Sequence, residues 1–467
     1  MVGTRAEAVK TAPFIRALHT NPHTHPLAIS TGQHHDAAVE CLKAFGITPD
    51  VALVPPAPHE PEPLASRLAA FTAALAPVLT RAAVDTVVVQ GDTLSALAGA
   101  LTAFLGRVPV VHLEAGLRTG DLSAPFPEEA NRALIADIAA LHLAPTAAAA
   151  RNLRAEGIPG DRILVIGNTA VDAVLRTASA PRPAFAPTLE TFLTRPGPLL
   201  LASAHRRESW GAPLDRIITA IGGIARRHPE ANVLVCAHPN PALHRRWAAG
   251  LPTLANLHLT GPLPYAGMAH LLPRAALVIT DSGGLQEEAP AFATPVLVIR
   301  ETTERVEGLR AGCAHLVGTH THRIVEEATR LLTTPRPAVP PGNPYGDGRA
   351  AERAAAACAA LLGHGPMPAP WHPAGGREGR SRSVPVSRSD LAQDPVPRGR
   401  RVGGGEELHG GGQPFVEGEE DLLRLGGGHP DGVVQVRELA HVHDPVAVAV
   451  GEREVGLDGR ADHGGDP

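Results

Sequence analysis

Short apolar, β-branched runs alternate with longer Ala/Leu-rich stretches of helical period, and this alternation constrains the fold more than any other feature. The runs include Thr86-Val87-Val88-Val89, Pro109-Val110-Val111-His112-Leu113, Asn232-Val233-Leu234-Val235 and Leu277-Val278-Ile279-Thr280. Strands that are apolar at consecutive positions bury both faces. They therefore call for parallel sheets covered on each side by crossover helices, an α/β architecture. With 467 residues, 44% of them apolar, the chain is long enough for two such domains of roughly 100–200 residues each.

A further strand, Arg162-Ile163-Leu164-Val165-Ile166, runs into Gly167-Asn168-Thr169. Pro-rich sequence over 181–198 then separates it from Leu199-Leu200-Leu201, which places the domain junction within 167–198. The expected organisation is an N-terminal domain over 1–168, a C-terminal domain over 169–345, a last helical segment over 346–362 and a tail over 363–467. The periodic apolar pattern stops near Gly363, and Gly, Pro, Arg, Glu, His and Asp dominate from there, so the tail is expected to be largely disordered. Out-of-frame translation of Gly/Arg/Pro-rich coding sequence accounts for it better than an authentic functional extension. Gly3-Thr4-Arg5 has the character of a loop leaving a strand, yet only Met1 and Val2 precede it, so a central strand is expected to be missing and the true start to lie upstream.

The net charge of -5 is spread along the chain, and no basic face advertises nucleic acid or anionic lipid. Cys41, Cys236, Cys313 and Cys358 lie far apart, with no pair at metal-ligand or redox spacing. Buried free thiols in a reducing, cytoplasmic setting are expected. No run reaches the roughly 18 apolar residues of a membrane span, and Arg5, Glu7 and Lys10 interrupt the start, which is unlike an export leader.

Six loops carry ionisable residues at the ends of strands or the mouths of helices. In Gly3-Thr4-Arg5-Ala6-Glu7-Ala8-Val9-Lys10, a glycine turn opens a helix, setting backbone donors, Arg5 and Lys10 where a diphosphate would sit. The alternative is a solvated helix end. Gln90-Gly91-Asp92-Thr93 follows a buried strand at the carboxyl edge of its sheet, where ligands of open α/β folds bind; the competing role for Asp92 is a helix cap. His112-Leu113-Glu114-Ala115-Gly116 delivers Glu114 to the same edge, where a carboxylate must be paired, protonated or working.

Pro125-Phe126-Pro127-Glu128-Glu129-Ala130-Asn131-Arg132 opens another helix, with Glu128 and Arg132 on one face; an acidic pair favoured by the helix dipole is the bland reading. Ser203-Ala204-His205-Arg206-Arg207 offers an imidazole and two guanidinium groups, a donor density suited to phosphoryl oxygens. Asp281-Ser282-Gly283-Gly284-Leu285-Gln286-Glu287-Glu288 exposes glycine N–H groups at a helix start with carboxylates one turn onward. Phosphate would meet the donors and ribose hydroxyls Glu288.

Each loop alone is a common type. Together, in this order, with Thr31-Gly32-Gln33-His34, Ala144-Pro145-Thr146, Thr302-Thr303-Glu304-Arg305 and Asn343-Pro344-Tyr345-Gly346-Asp347-Gly348, the chain resembles the non-hydrolysing UDP-N-acetylglucosamine 2-epimerase family, nearly continuously from Gly3 to about Leu362. The resemblance implies two Rossmann-like domains in the GT-B arrangement, with an interdomain active-site cleft and a final helix that crosses back to the N-terminal domain. It implies interconversion of UDP-GlcNAc and UDP-ManNAc by elimination of UDP to 2-acetamidoglucal and re-addition, with Asp92, Glu114 and Glu128 as the acid/base set and His205 supporting the leaving group. It assigns UDP to Arg5, Lys10, Met268, Ser282, Gly283, Gly284 and Glu288. No metal or nicotinamide is expected, since the sequence has no metal-ligand cluster and the glucal route avoids oxidation.

The same resemblance implies homodimers and an activating second UDP-GlcNAc held by Gln33, His34, Arg67, Arg206 and His238. Asp36 departs from the family's usual glutamine there, Met268 stands where the family often has a phenylalanine against uracil, Gln90 replaces a common histidine, and Ala6 a common proline. Rival expectations are a hydrolysing 2-epimerase, a GT-B glycosyltransferase and a non-catalytic UDP-sugar sensor. Retention of Glu7-Ala8-Val9-Lys10 speaks against the first, and three convergent carboxylates against the second.

Overall fold

The computed structural model describes residues 1–53, 63–238, 240–334 and 343–373; residues 374–467 of the tail and the side chains of His35, Asp36 and Arg207 lie outside the described residues. In the N-terminal half the elements run α1 (Arg5–Thr20), β1 (Ile29–Ser30), α2 (His35–Ala44), β2 (Val51–Ala52), α3 (Leu64–Ala82), β3 (Val87–Gln90), α4 (Leu94–Leu105), β4 (Val110–Leu113), α5 (Glu128–Ile138), β5 (Leu141–Ala144), α6 (Ala147–Ala155) and β6 (Ile163–Val165). Helix α7 (Thr169–Ala178) leads to α8 (Pro187–Leu193), β7 (Leu199–Ser203), α9 (Ala212–Arg227), β8 (Asn232–Cys236), α10 (Pro241–Gly250), β9 (Leu257–Thr260), α11 (Tyr265–Leu271), β10 (Ala275–Thr280), α12 (Gly283–Glu288), β11 (Val296–Val298), α13 (Val306–Arg310), β12 (Ala314–Leu316), α14 (Thr321–Thr333) and α15 (Ala350–Leu361).

The C-terminal sheet has the parallel order β12-β11-β10-β7-β8-β9, the doubly wound arrangement whose strand order reverses between β7 and β10. Its two faces bury separate apolar layers, one built on α9 and α14 with Trp247 and the other on Leu189, Leu201, Leu234 and Val278. The β-branched runs read from the sequence are these central strands: Val233 and Ile279 point into one layer and Leu234 and Val278 into the other.

The N-terminal sheet is built from parallel β3-β4-β5-β6 and a parallel pair, β1-β2. Met1 and Val2 lie between the two pieces. Val2 bridges Ser30 in parallel, its N–H donating to the Ile29 carbonyl at 2.9 Å, and the Met1 amino group donates to the Val88 carbonyl at 2.9 Å. A single residue pair thus stands where the sequence suggested a missing central strand. Gly3 follows at once, and a Cβ there would lie 2.0 Å from the Ser95 Oγ, so only glycine lets the chain turn against the start of α4.

Helix α15 buries Ala350, Ala354, Ala357 and Cys358 in one cluster with Phe14, Leu18, Val111, Leu113 and Leu164, so the last helix packs on the N-terminal sheet. Asp172 of α7 fastens it by accepting from the N–H groups of Ala350 and Ala351 at 3.2 and 2.8 Å. Burial pushes the Asp172 carboxyl up to about 6, against the lowering effect of those two bonds. Order continues past residue 362, where the periodic pattern ends. Trp371 donates its N–H to the Val165 carbonyl at 2.8 Å and is buried with Ala150 and Leu153, an anchor that a lone aromatic in Pro-rich sequence did not signal.

Candidate active site

Asp92 follows β3, Glu114 follows β4, His205 follows β7 and Ser282 follows β10, each at the carboxyl end of its strand, while Arg5, Lys10, Arg67, Glu128, Met268 and Glu288 lie on helices. The glycine turn ahead of α1 is fastened by a carboxylate that sequence reasoning did not single out. Glu7, buried in α1, accepts from the Gly3 N–H at 2.9 Å and from the Thr93 hydroxyl at 2.7 Å, tying the glycine turn to the loop that carries Asp92. Burial raises its carboxyl above the usual range.

Asp92 is not a helix cap. Thr93 caps α4 through its Oγ1, which accepts from the Ala96 N–H at 3.0 Å. The Asp92 carboxylate instead meets Arg132 at 2.7 Å, and its carbonyl accepts from the Asn131 amide at 2.8 Å. Beneath the loop His112 sits 2.7 Å from the Gly91 carbonyl, its imidazole depressed to about 3 by burial; it is therefore a neutral donor through Nε2 that props the turn. Arg132 consequently pairs with Asp92 and Glu129 and not with Glu128, the partner that helical spacing suggested. Glu129 accepts from the Thr119 and Gly120 N–H groups, both at 3.0 Å, which leaves Glu128 half-buried at the mouth of α5 with no hydrogen bond or ion pair among the described residues. Of these adjacent glutamates, Glu129 holds a loop and Glu128 is not so engaged among the described residues.

Glu114 adopts φ 66, a left-handed conformation uncommon for a residue with a Cβ. Such strain costs on the order of 1–3 kcal/mol and is commonly stored at functional sites. Its Oε2 lies 2.5 Å from the Lys10 Nζ and 2.8 Å from the Gln90 Nε2, and its Oε1 lies 4.0 Å from the Arg305 guanidinium. Lys10 reaches at the same time to Glu287 of α12, at 2.9 Å. Arg305 binds Glu287 at 3.0 Å and Glu304, while Glu304 also receives Arg300 at 2.9 Å and Arg206 at 3.5 Å.

Burial opposes every charge in this network, and the balance of partners decides each direction. Lys10 stays above its usual range because Glu114 and Glu287 outweigh burial. Glu287, against two cations, is held low despite burial, whereas Glu114 is pushed up by burial and by the Glu287 charge. The sequence motifs contained Glu287, Glu304 and Arg305, but nothing in their spacing told which distant charge each would meet.

His205 follows β7. Its N–H and that of Arg206 donate to the Asp281 carboxylate at 2.9 and 3.0 Å, and the Ser209 hydroxyl joins them at 2.7 Å. Asp281 is fully buried and so fixes the His205 loop to the end of β10. Burial lowers the His205 imidazole, Asp281 offsets part of this, and His238, with ring centroids 5.7 Å away, and Arg5 add to the lowering. Arg5 stands exposed on the first turn of α1, and its charge also acts on His34, His238 and Glu288. One guanidinium of the N-terminal half therefore faces groups of the C-terminal half.

Ser282 begins α12. A Cβ on Gly283 would lie 2.9 Å from the Arg305 guanidinium carbon, so glycine there lets the arginine lie flat on the turn. Gly284 leaves space bounded by Glu288 and Ser282. Glu288 is buried, and burial and the Glu287 charge push its carboxyl to about 8, with the Tyr265 hydroxyl beside it. Met268, on α11, is half-buried against the C-terminal apolar layer. Of the residues assigned to a second ligand, Gln33 spends its side-chain oxygen on Ser95, accepting from the N–H at 3.0 Å and the hydroxyl at 2.7 Å, and Arg206 is engaged with Glu304. His34 is depressed by burial and by Arg67 and Arg5, which brings those three together.

A model of the UDP-N-acetylglucosamine 2-epimerase family matches residues 16–359. The chain belongs to that family. A UDP-N-acetylglucosamine 2-epimerase of Yersinia pestis is 40% identical over 366 residues, spanning 75% of this chain and 95% of the relative. The UDP-GlcNAc 2-epimerase of Neisseria meningitidis, solved bound to UDP-GlcNAc, matches with a TM-score of 0.70 at 34% identity, across 77% of this chain and 98% of that one. Staphylococcus aureus MnaA, solved with UDP, matches with a TM-score of 0.71 at 33% identity, across 79% and 98%. The fold is that of this epimerase family, two Rossmann-like domains in the GT-B arrangement.

Proposed function

We propose that the chain interconverts UDP-N-acetylglucosamine and UDP-N-acetylmannosamine without net hydrolysis. The observation that carries this reading is the placement of Glu114: a strained carboxylate at the edge of the N-terminal sheet, clamped through Lys10 to α12, the helix that the turn Ser282-Gly283-Gly284 opens. A sugar whose diphosphate rests on that turn and on Arg5 would present C1 and C2 to Glu114, Asp92 and Glu128. The C2 proton has no neighbouring carbonyl and is not acidic. Its loss is therefore coupled to breaking the C1–O bond: a carboxylate takes the proton, the C–H electrons form the C1–C2 double bond, and UDP leaves with the bond pair. Re-addition forms the C1–O bond again while a carboxylic acid on the opposite face returns a proton to C2. His205 and Arg5 stabilise the departing diphosphate, Glu288 takes the ribose and Met268 the uracil.

A second UDP-GlcNAc as activator falls to His34, Arg67, Arg206 and His238, with Gln33 shaping their loop from beneath. A homodimer is supported by Phe104, Leu105 and Leu134, large apolar side chains left exposed on α4 and α5. The four cysteines are buried free thiols, which suits a cytosolic enzyme. Proton NMR of UDP-GlcNAc incubated with the protein tests the reaction: the anomeric signal of UDP-ManNAc should grow to a constant ratio with UDP-GlcNAc. Stoichiometric free UDP and ManNAc would assign the hydrolysing reaction instead, and unchanged substrate would leave only binding.

A further inference from the structure

Glu287 is the most enclosed carboxylate of the network that joins Lys10, Glu114, Glu287, Glu304 and Arg305, its side chain 2% exposed. Its two oxygens are divided between cations from opposite halves of the molecule, Oε2 to Lys10 at 2.9 Å and Oε1 to Arg305 at 3.0 Å. Lys10 lies at the same time 2.5 Å from Glu114, so the Glu287 and Glu114 oxygens that share it are no more than 5.4 Å apart, the sum of 2.5 and 2.9 Å. Two carboxylates at that separation, both largely buried, interact strongly, and neither can change protonation without the other responding.

We propose that Glu287 is a positioning residue for Glu114: it draws Lys10 and Arg305 partly away from that carboxylate, so that Glu114 is not locked in an ion pair and can take up and release a proton. This inference rests on Glu114 being part of the acid/base set. The groups facing Glu114 are Lys10 of α1, Gln90 of β3, Arg305 ahead of α13 and Glu287 itself. Those facing Glu287 are Lys10, Arg305, Glu114, the adjacent Glu288 and Tyr345. With Glu287 ionised, Lys10 is shared by two carboxylates and Arg305 by three, Glu304 being the third. Without its charge Lys10 serves Glu114 alone and Arg305 divides between Glu114 and Glu304, so Glu114 stays ionised to lower pH and gives up its role in accepting or returning a proton.

The test compares pH profiles of kcat/KM for the full chain and its Glu287→Gln, Glu287→Asp and Glu114→Gln variants, with thermal unfolding of each. In Glu287→Gln the limb governed by Glu114 should move down by about one to two pH units, with kcat reduced more than tenfold. Glu287→Asp keeps the charge but cannot reach both cations, so the limb should move the same way by less. A role confined to stability would lower the unfolding temperature and leave the limb in place, which would overturn the proposal. If Glu287→Gln fails to fold, Glu287→Asp decides alone: a limb moved down supports the proposal and an unmoved limb overturns it. Full activity in Glu114→Gln would instead refute the acid/base reading on which the proposal stands.

Discussion

Replacing Asp281 with Asn tests whether the His205 loop is held by one buried charge. The Asp281 carboxylate accepts from the His205 N–H with both oxygens at 2.9 Å, from Arg206 N–H at 3.0 Å and from Ser209 Oγ at 2.7 Å. An amide of the same shape keeps its oxygen for Arg206 and Ser209, and then sets its NH2 against the His205 N–H, donor facing donor. One charge-assisted bond is lost and the others become neutral, which at about 1.5–3 kcal/mol per charged bond against about 1 for a neutral one costs at least about 2.5 kcal/mol. The variant should unfold at lower urea but remain folded in buffer. The chemical effect is separate: a displacement of about 1 Å in a catalytic group costs on the order of 100-fold. Loss of the Asp281 charge also removes the influence that raises the His205 imidazole, so less imidazolium faces the leaving diphosphate. Initial rates of UDP-ManNAc formation, with UDP affinity by calorimetry, measure both. A folded Asp281→Asn enzyme with kcat within threefold of the parent would refute this reasoning.

Lys10→Met leaves Glu114 and Glu287 buried without their shared cation, and should destabilise the fold by about 3–5 kcal/mol in urea titration at pH 7.5, the cost of an uncompensated buried charge. Asp172 should give a pH-dependent stability. Burial raises its carboxyl to about 6, above the ordinary aspartate value of about 3.9, so the folded state holds the proton more tightly. Stability should therefore fall as pH rises from about 4 to about 6, by on the order of 2 kcal/mol, and Asp172→Asn should flatten that slope in urea titrations. Leu105, 77% exposed beside Phe104, should lie in the dimer contact. Leu105→Glu should sediment as a monomer where the parent sediments as a dimer; a parent that is already monomeric at micromolar concentration would contradict this.

Much of the fold was legible because central parallel strands are written as unbroken apolar runs. Val87 to Val89 and Leu277 to Ile279 need no partner to be recognised, and the loops after them inherit their place at the sheet edge. Adjacent residues of like chemistry were not separable. Glu128 and Glu129 have the same local character, and only the folded loop at Thr119 and Gly120 takes one and leaves the other. Asp92 and Thr93 are both good helix caps, and the choice is made by Arg132, forty positions away in the chain. The side-chain oxygen of Gln33 braces Ser95, a contact that its motif did not signal. Long-range ion partners such as Glu287 for Lys10 leave no periodic trace, because a salt bridge across two sheets imposes no spacing on either segment.

The central claim is that acidic side chains of the N-terminal half move a proton at C2 of a sugar whose nucleotide is gripped by the C-terminal half. Incubation of UDP-GlcNAc with the protein in deuterated water, followed by mass spectrometry of the recovered nucleotide sugar, tests it directly. One deuterium should enter at C2 in both epimers, at a rate cut at least 100-fold by Asp92→Asn, Glu114→Gln or Glu128→Gln. Epimer formation with no deuterium incorporated, or at undiminished rate in all three variants, would contradict it.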